Sequence, residues 1–142
     1  MATKSNPVRA LPTKSPGASE QELSDNLLQR LTEKFPGAVK ANVAFGKSYA
    51  DLVLERPEGV IVAEVKTGDP ELPLPSSTVA QMDFFVQHAK TAYPGCKIIP
   101  VVLTNYGVSE SDKQVLDREG VKVVSVGSGS LDSILENLLK QV

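Results

Sequence analysis

Residues 49–68, YADLVLERPEGVIVAEVKTG, restrict the fold of this chain more than any other stretch. Two apolar, β-branched runs, 49–55 and 60–66, flank Arg56-Pro57-Glu58-Gly59, where Pro and Gly stand as a type I or II turn requires. The pattern predicts a β-hairpin. Pairing Arg56 with Gly59 sets its register: Glu55 opposite Val60, Val53 opposite Val62, Asp51 opposite Glu64, and Tyr49 opposite Lys66. Because strand side chains alternate between faces, Asp51, Glu64 and Lys66 should share one face with Val53, Val60 and Val62. Facing carboxylates repel each other, and apolar neighbours sharpen the conflict. Such a pair needs a cation. Lys66 supplies one, and a divalent metal supplies a stronger one.

Composition limits which metal that is. The single cysteine, Cys96, and single histidine, His88, exclude a disulfide framework, a Cys-based zinc site and a multi-histidine site. A metal would be held by carboxylates, which points to Mg²⁺ or Mn²⁺. The net charge of −2 and pI near 5.4 give no overall basic field, so nucleic acid would have to bind in a local groove. A chain of 142 residues suits one domain with a core of useful size. No apolar run reaches transmembrane length and no signal-peptide segment opens the chain, so a cytoplasmic protein without a membrane partner is expected.

The remaining elements follow from periodicity and turn chemistry. Residues 1–18, rich in Pro and Ser and carrying Lys4, Arg9 and Lys14 without an acid, read as a disordered tail, a solvated leader or a weak arm for phosphates. The domain is then residues 19–142. Ser19 with Glu22 forms a capping box ahead of a helix to about Lys34, whose stripe is Leu23, Leu27, Leu28 and Leu31. Glu20 lies toward the buried side of that helix and Glu22 toward solvent. Val39–Phe45 reads as a first strand, with Gly46-Lys47-Ser48 turning into the hairpin. After Lys66, TGDPELPLPSS holds three prolines and reads as a long loop, functional or mobile. Ser76 or Ser77 caps a helix over 78–92. Residues 97–105, KIIPVVLTN, form a strand buried on both faces, in which Pro100 implies a bulge or an edge. A helix over 110–119, a strand over 121–126, the loop GSGS and a helix over 131–141 complete the chain. The order αβββαβαβα specifies an α/β fold with a mixed central sheet flanked by helices.

An Asp, twelve intervening residues, and Glu-Val-Lys ending the next strand together resemble the PD-(D/E)xK, or restriction-endonuclease-like, nuclease superfamily. The resemblance covers most of residues 19–139. It implies that Asp51, Glu64 and Lys66 form a catalytic core, with a first-helix glutamate best matched by Glu20 and otherwise by Glu22. It further implies that Gln81, in the helix after the lysine strand, belongs to the site, with Phe85 where a Tyr is often found. The expected proline is replaced by Ala50. The segment from Lys97 to Val126, with a strand ending in Thr and another opening with Gly-Val, is similar to Mrr-type restriction enzymes and Holliday-junction resolvases.

Such an enzyme hydrolyses DNA phosphodiesters. The resemblance implies a Mg²⁺ or Mn²⁺ ion held by Asp51, Glu64 and the Val65 carbonyl, with Lys66 orienting or deprotonating water. DNA is the expected partner, and a homodimer would allow two strands to be cut. The alternatives are a non-catalytic nucleic-acid- or protein-binding module of the same fold, or a buried Asp–Lys–Glu salt-bridge network. A toxin, or a piece of a larger machine, is a further reading. His88 reads as a packed or surface histidine, Cys96 as a small buried residue, and Lys47 and Ser48 as a charged turn able to touch a DNA backbone.

Overall fold

The computed structural model describes residues 16–126 and 130–141, with the side chains of residues 16–19 excepted. Of the tail expected over 1–18, residues 1–15 lie outside the described residues, as does most of the GSGS loop, whereas residues 16–18 belong to the first helix and not to a tail. Element order is α1 (Pro16–Lys34), β1 (Val39–Phe45), β2 (Ser48–Arg56), β3 (Gly59–Lys66), α2 (Ser76–Ala92), β4 (Ile98–Thr104), α3 (Glu110–Arg118), β5 (Lys122–Ser125) and α4 (Leu131–Leu139). This is the sequence-predicted order.

The strands form one five-stranded sheet in the order β1-β2-β3-β4-β5. The first three are an antiparallel meander; β4 joins β3, and β5 joins β4, in parallel through helical crossovers. Each face carries an apolar layer. One packs Leu27 and Leu31 of α1 and Ile134 and Leu138 of α4 onto Leu52, Leu54, Ile61 and Ala63. The other packs Met82, Phe85 and Ala89 of α2 and Leu116 of α3 onto Ala50, Val53, Val60 and Val62. Fully burying such side chains contributes roughly 1.5–3 kcal/mol each, which fixes which helix covers which face. β3 and β4 are sandwiched between layers and buried along nearly their whole lengths.

Helix starts differ from the sequence reading. α1 begins at Pro16, so Ser19 lies inside the helix and is not its cap. Proline suits a first helical turn because its missing N–H would have no partner there. Helix α2 begins at Ser76 with Pro75 at the N-cap and no side-chain cap, in place of a Ser76 or Ser77 cap. Ser109 and Ser130 do cap α3 and α4, accepting from Asp112 N–H and Ser133 N–H. Pro100 sits within central β4, yet the β4–β5 ladder starts only at Val101. Its missing donor thus falls where the sheet is locally an edge. Cys96 is exposed rather than buried, because it lies in the surface turn closed by its N–H on Tyr93 O.

Candidate active site

The hairpin register holds from Arg56↔Gly59 to Leu52↔Ala63 and then stops. Both strands continue, but Asp51–Glu64 and Tyr49–Lys66 are not rungs of the ladder. Instead the Asp51 Oδ2 accepts the Val65 N–H at 2.8 Å. A side chain has taken the place of a backbone partner, and β2 and β3 part around it. The alternation of β2 slips at the same point: Leu52 and Leu54 face the α1 layer, whereas Ala50 faces the α2 layer. Opposite the slip, Asn42 of β1 adopts φ 51°, and the β1–β2 ladder passes from Ala41↔Leu52 to Val43↔Ala50 without pairing Asn42 with Asp51. Asn is among the few residues that tolerate this left-handed backbone.

The gap opens a pocket of about 120 Å³ lined by Glu20, Gln21, Ser24, Asp51, Glu64, Val65 and Lys66. Three consecutive β3 residues line it, which a flat sheet face could not provide. Glu64 is the buried carboxylate among them, at 4% exposure. Lys66 Nζ lies 3.9 Å from Glu64 Oε2, while Glu64 Oε1 is buried without any hydrogen-bond partner. Burial, then the charge and hydrogen bond of Asp51, push the Glu64 carboxyl up to about 8; Lys66 opposes this more weakly. A half-exposed ammonium near 4 Å cannot offset the desolvation of a buried carboxylate, so the ion pair is a loose one.

Of the two first-helix glutamates, Glu20 reaches the site. Its Oε1 accepts the Thr67 N–H at 3.1 Å, and Glu22 is exposed. Gln81 is half-buried on α2 and does not line the pocket, and Phe85 is a core residue of the α2 layer. Among the described residues, no group of three or more His, Cys, Asp or Glu side chains is placed to hold a metal. The carboxylates that line the pocket are those of Glu20, Asp51 and Glu64, with the Val65 peptide beside them; Glu20 is already engaged by the Thr67 N–H. A larger hollow of about 650 Å³ lies between the β1–β2 turn and α2, lined by Phe45, Gly46 and His88 among others. It holds no acid, and His88 is engaged there by the Phe84 ring and the Phe84 carbonyl.

The loop after Lys66 is pinned, contrary to a mobile loop. Asn105 holds Gly68 from both sides, accepting its N–H and donating to its carbonyl, each at 2.8 Å. Further along, Gly107 N–H donates to Leu72 O, and Leu74 N–H to Gly107 O. Since Lys66↔Thr104 is the last β3–β4 rung, Asn105 extends the sheet by one side-chain rung and fixes how the chain leaves Lys66. A β-carbon on Gly68 would overlap the Tyr106 hydroxyl. Gly68→Ala should therefore displace Tyr106 and cost about 1–3 kcal/mol. Urea melts check the loss, and wild-type stability in this variant would show that Tyr106 gives way to a β-carbon at residue 68. The sequence alone does not join Asn105 and Tyr106 to Gly68. The Asn-Tyr-Gly following a strand signals a turn, but nothing local links it to residue 68.

Comparison with known proteins places the fold. No protein-family model matches the chain, and no curated protein matches it. Solved structures do. EndoMS in a complex with double-stranded DNA aligns at TM-score 0.60 and 14% identity, over 88% of this chain and 50% of that one. A repair endonuclease from Pyrococcus abyssi aligns at 0.56 and 18%, over 84% and 50%. Can2 from Sulfobacillus thermosulfidooxidans, in complex with cyclic tetra-adenylate, aligns at 0.59 and 17%, over 89% and 36%. The chain spans half the length of the first two and about a third of the last. At these identities the likeness is one of fold: the chain has the mixed sheet flanked by helices that its element order specifies, in the restriction-endonuclease-like arrangement that the resemblance implies. No helix among the described residues is long and apolar enough to cross a membrane.

Proposed function

We propose that the protein is a metal-dependent endonuclease that hydrolyses phosphodiester bonds in DNA, of the PD-(D/E)xK type. The observation that carries this reading is Glu64 Oε1, a buried acceptor without a partner, beside a second carboxylate and an amine. Leaving such a group unsatisfied costs roughly 1–3 kcal/mol or more, which a purely structural site has no reason to bear. Asp51 and Glu64, with the Val65 carbonyl, suit a hard cation such as Mg²⁺ or Mn²⁺ that takes its other ligands from water and phosphate. When bound, that ion would supply an acidified water and a counter-charge for phosphate.

The chain's own residues do the rest. The Val65 N–H fixes the Asp51 carboxylate. Glu20 ties the start of α1 to Thr67 and walls the pocket. Lys66, half-exposed at the pocket rim, faces solvent and substrate, where it can take a proton from water or meet charge on phosphate. Gln81 would take part only from outside the pocket wall. The strand β4 ending at Thr104, and Gly120-Val121 ahead of β5, support placement near the Mrr-type and Holliday-junction-resolvase branch. The likeness in fold to EndoMS, seen with double-stranded DNA, and to a repair endonuclease supports DNA as the substrate class.

The test is incubation with supercoiled, linear and branched DNA, and with RNA, in Mg²⁺, Mn²⁺ or EDTA. Cleavage that needs metal and is lost in folded Asp51→Ala is the expected result. Absence of cleavage on every substrate, with no metal binding by calorimetry, would leave a non-catalytic module.

A further inference from the structure

Tyr49 is the most exposed large apolar side chain among the described residues, at 62%. Its hydroxyl has no hydrogen-bond partner there. Its direction follows from its neighbours. Val43, Phe45 and Ala50 pack into the α2 layer, so the Ala44↔Tyr49 pair between them turns to the opposite face. That is the face α1 covers over Leu52 and Leu54. The cover does not extend to Ala44 and Tyr49, which are both exposed. Asp51 flanks Ala50 from the other side, two residues from Tyr49 and about 7 Å along the strand. An uncovered sheet surface bearing one aromatic ring thus adjoins the pocket. Lys47, also exposed, stands in the turn that feeds Tyr49.

We propose that Tyr49 and Lys47 form a subsite for one unpaired nucleotide next to the scissile phosphate, the base stacking on the Tyr49 ring and its phosphate meeting Lys47. The inference rests on the endonuclease reading and narrows it: the substrate has an unstacked base beside the cut. An aromatic ring accepts any base through its π-face. Its cross-strand partner is the small Ala44, and the exposed residues two positions from that pair along the chain, Asn42 and Lys47, are polar, so the apolar surface is too small for a protein partner. A fully paired duplex buries its base faces in its own stack and offers Tyr49 nothing to hold.

The test uses short labelled oligonucleotides: single-stranded DNA, a full duplex, and a duplex with one unpaired nucleotide. Binding is read by fluorescence anisotropy in EDTA, and KM for cleavage in Mg²⁺. Tyr49→Thr keeps a strand-forming residue at this exposed site and should fold as wild type, checked by circular dichroism. We expect it to bind the single strand and the unpaired duplex about tenfold more weakly, with duplex binding unchanged. Tyr49→Phe should bind as wild type, because the ring and not the hydroxyl does the work. Equal affinity of Tyr49→Thr and wild type for the single strand, or equal weakening on all three substrates, overturns the subsite. If wild type cleaves and Tyr49→Thr cleaves every substrate with the same KM, the subsite falls while the endonuclease reading stands. If wild type cleaves nothing, the endonuclease reading falls first.

Discussion

Lys66→Ala is expected to lower the cleavage rate by about 10²–10⁴-fold, the usual contribution of a positioned acid–base or charge-stabilising group. Its stability should stay within about 1 kcal/mol of wild type. Lys66 makes only the loose contact to Glu64 at 3.9 Å, with its side chain 32% exposed, and ion pairs of that kind contribute little. The two readouts separate the competing roles of the residue. A structural salt bridge would lose stability and no activity; a catalytic amine loses activity and almost no stability. Lys66→Arg sharpens the distinction. It keeps the positive charge but cannot give up a proton near neutral pH, so it restores little if Lys66 takes a proton from water. Steady-state kinetics on a cleaved substrate, beside urea melts, supply both numbers. Full activity in Lys66→Ala would remove the residue from the site.

The second large effect concerns Glu64. With its carboxyl pushed up to about 8 by burial and by Asp51, against 4.5 for an ordinary glutamate, its proton is linked to folding. Below pH 4.5 the folded and unfolded chains both hold that proton, and nothing is lost. Between 4.5 and about 8 the unfolded chain releases it and the folded chain keeps it, so stability falls as pH rises. Above about 8 the buried charge is fully present and the loss complete. The whole change is on the order of a few kcal/mol. Metal-free protein in EDTA should therefore melt progressively lower from pH 5 to pH 9, over the window these values define. Glu64→Gln, which keeps the shape and removes the charge, should flatten this dependence, stabilise the metal-free protein at alkaline pH, and abolish cleavage. Mg²⁺ should raise the wild-type melting temperature most above neutral pH and leave Glu64→Gln unmoved. A wild-type melting temperature that does not fall with pH would show that Glu64 is not a buried, proton-holding acid.

Both effects depend on residues that could be picked out of the sequence, though not on the geometry foreseen for them. Counting outward from Arg56 and Gly59 gave the correct register as far as Leu52↔Ala63. The next step failed because a strand count assumes that the ladder continues. Here the Asp51 carboxylate competes for the Val65 N–H and wins, and the slip at Ala50 follows. Period-2 alternation carries no signal for a side chain that replaces a backbone partner. Glu20 could be favoured over Glu22 because a helical stripe fixes direction. Gln81 could not be placed relative to the pocket, since its helix packs through Met82 and Phe85, and the tilt of a helix on a sheet is set by all its contacts at once.

The sequence by itself determined the element order, the mixed sheet, and the hairpin that carries two acids and a lysine, because hydrophobic period, turn residues and β-branched runs act over a few residues. Tertiary structure alone decided that β2 and β3 part at Asp51, that Glu64 is left buried with a bare oxygen, and that the loop after Lys66 is fixed by Asn105 and Tyr106. Those features join residues up to 37 positions apart, where the outcome depends on which polar group reaches a given N–H or carbonyl once the layers have packed.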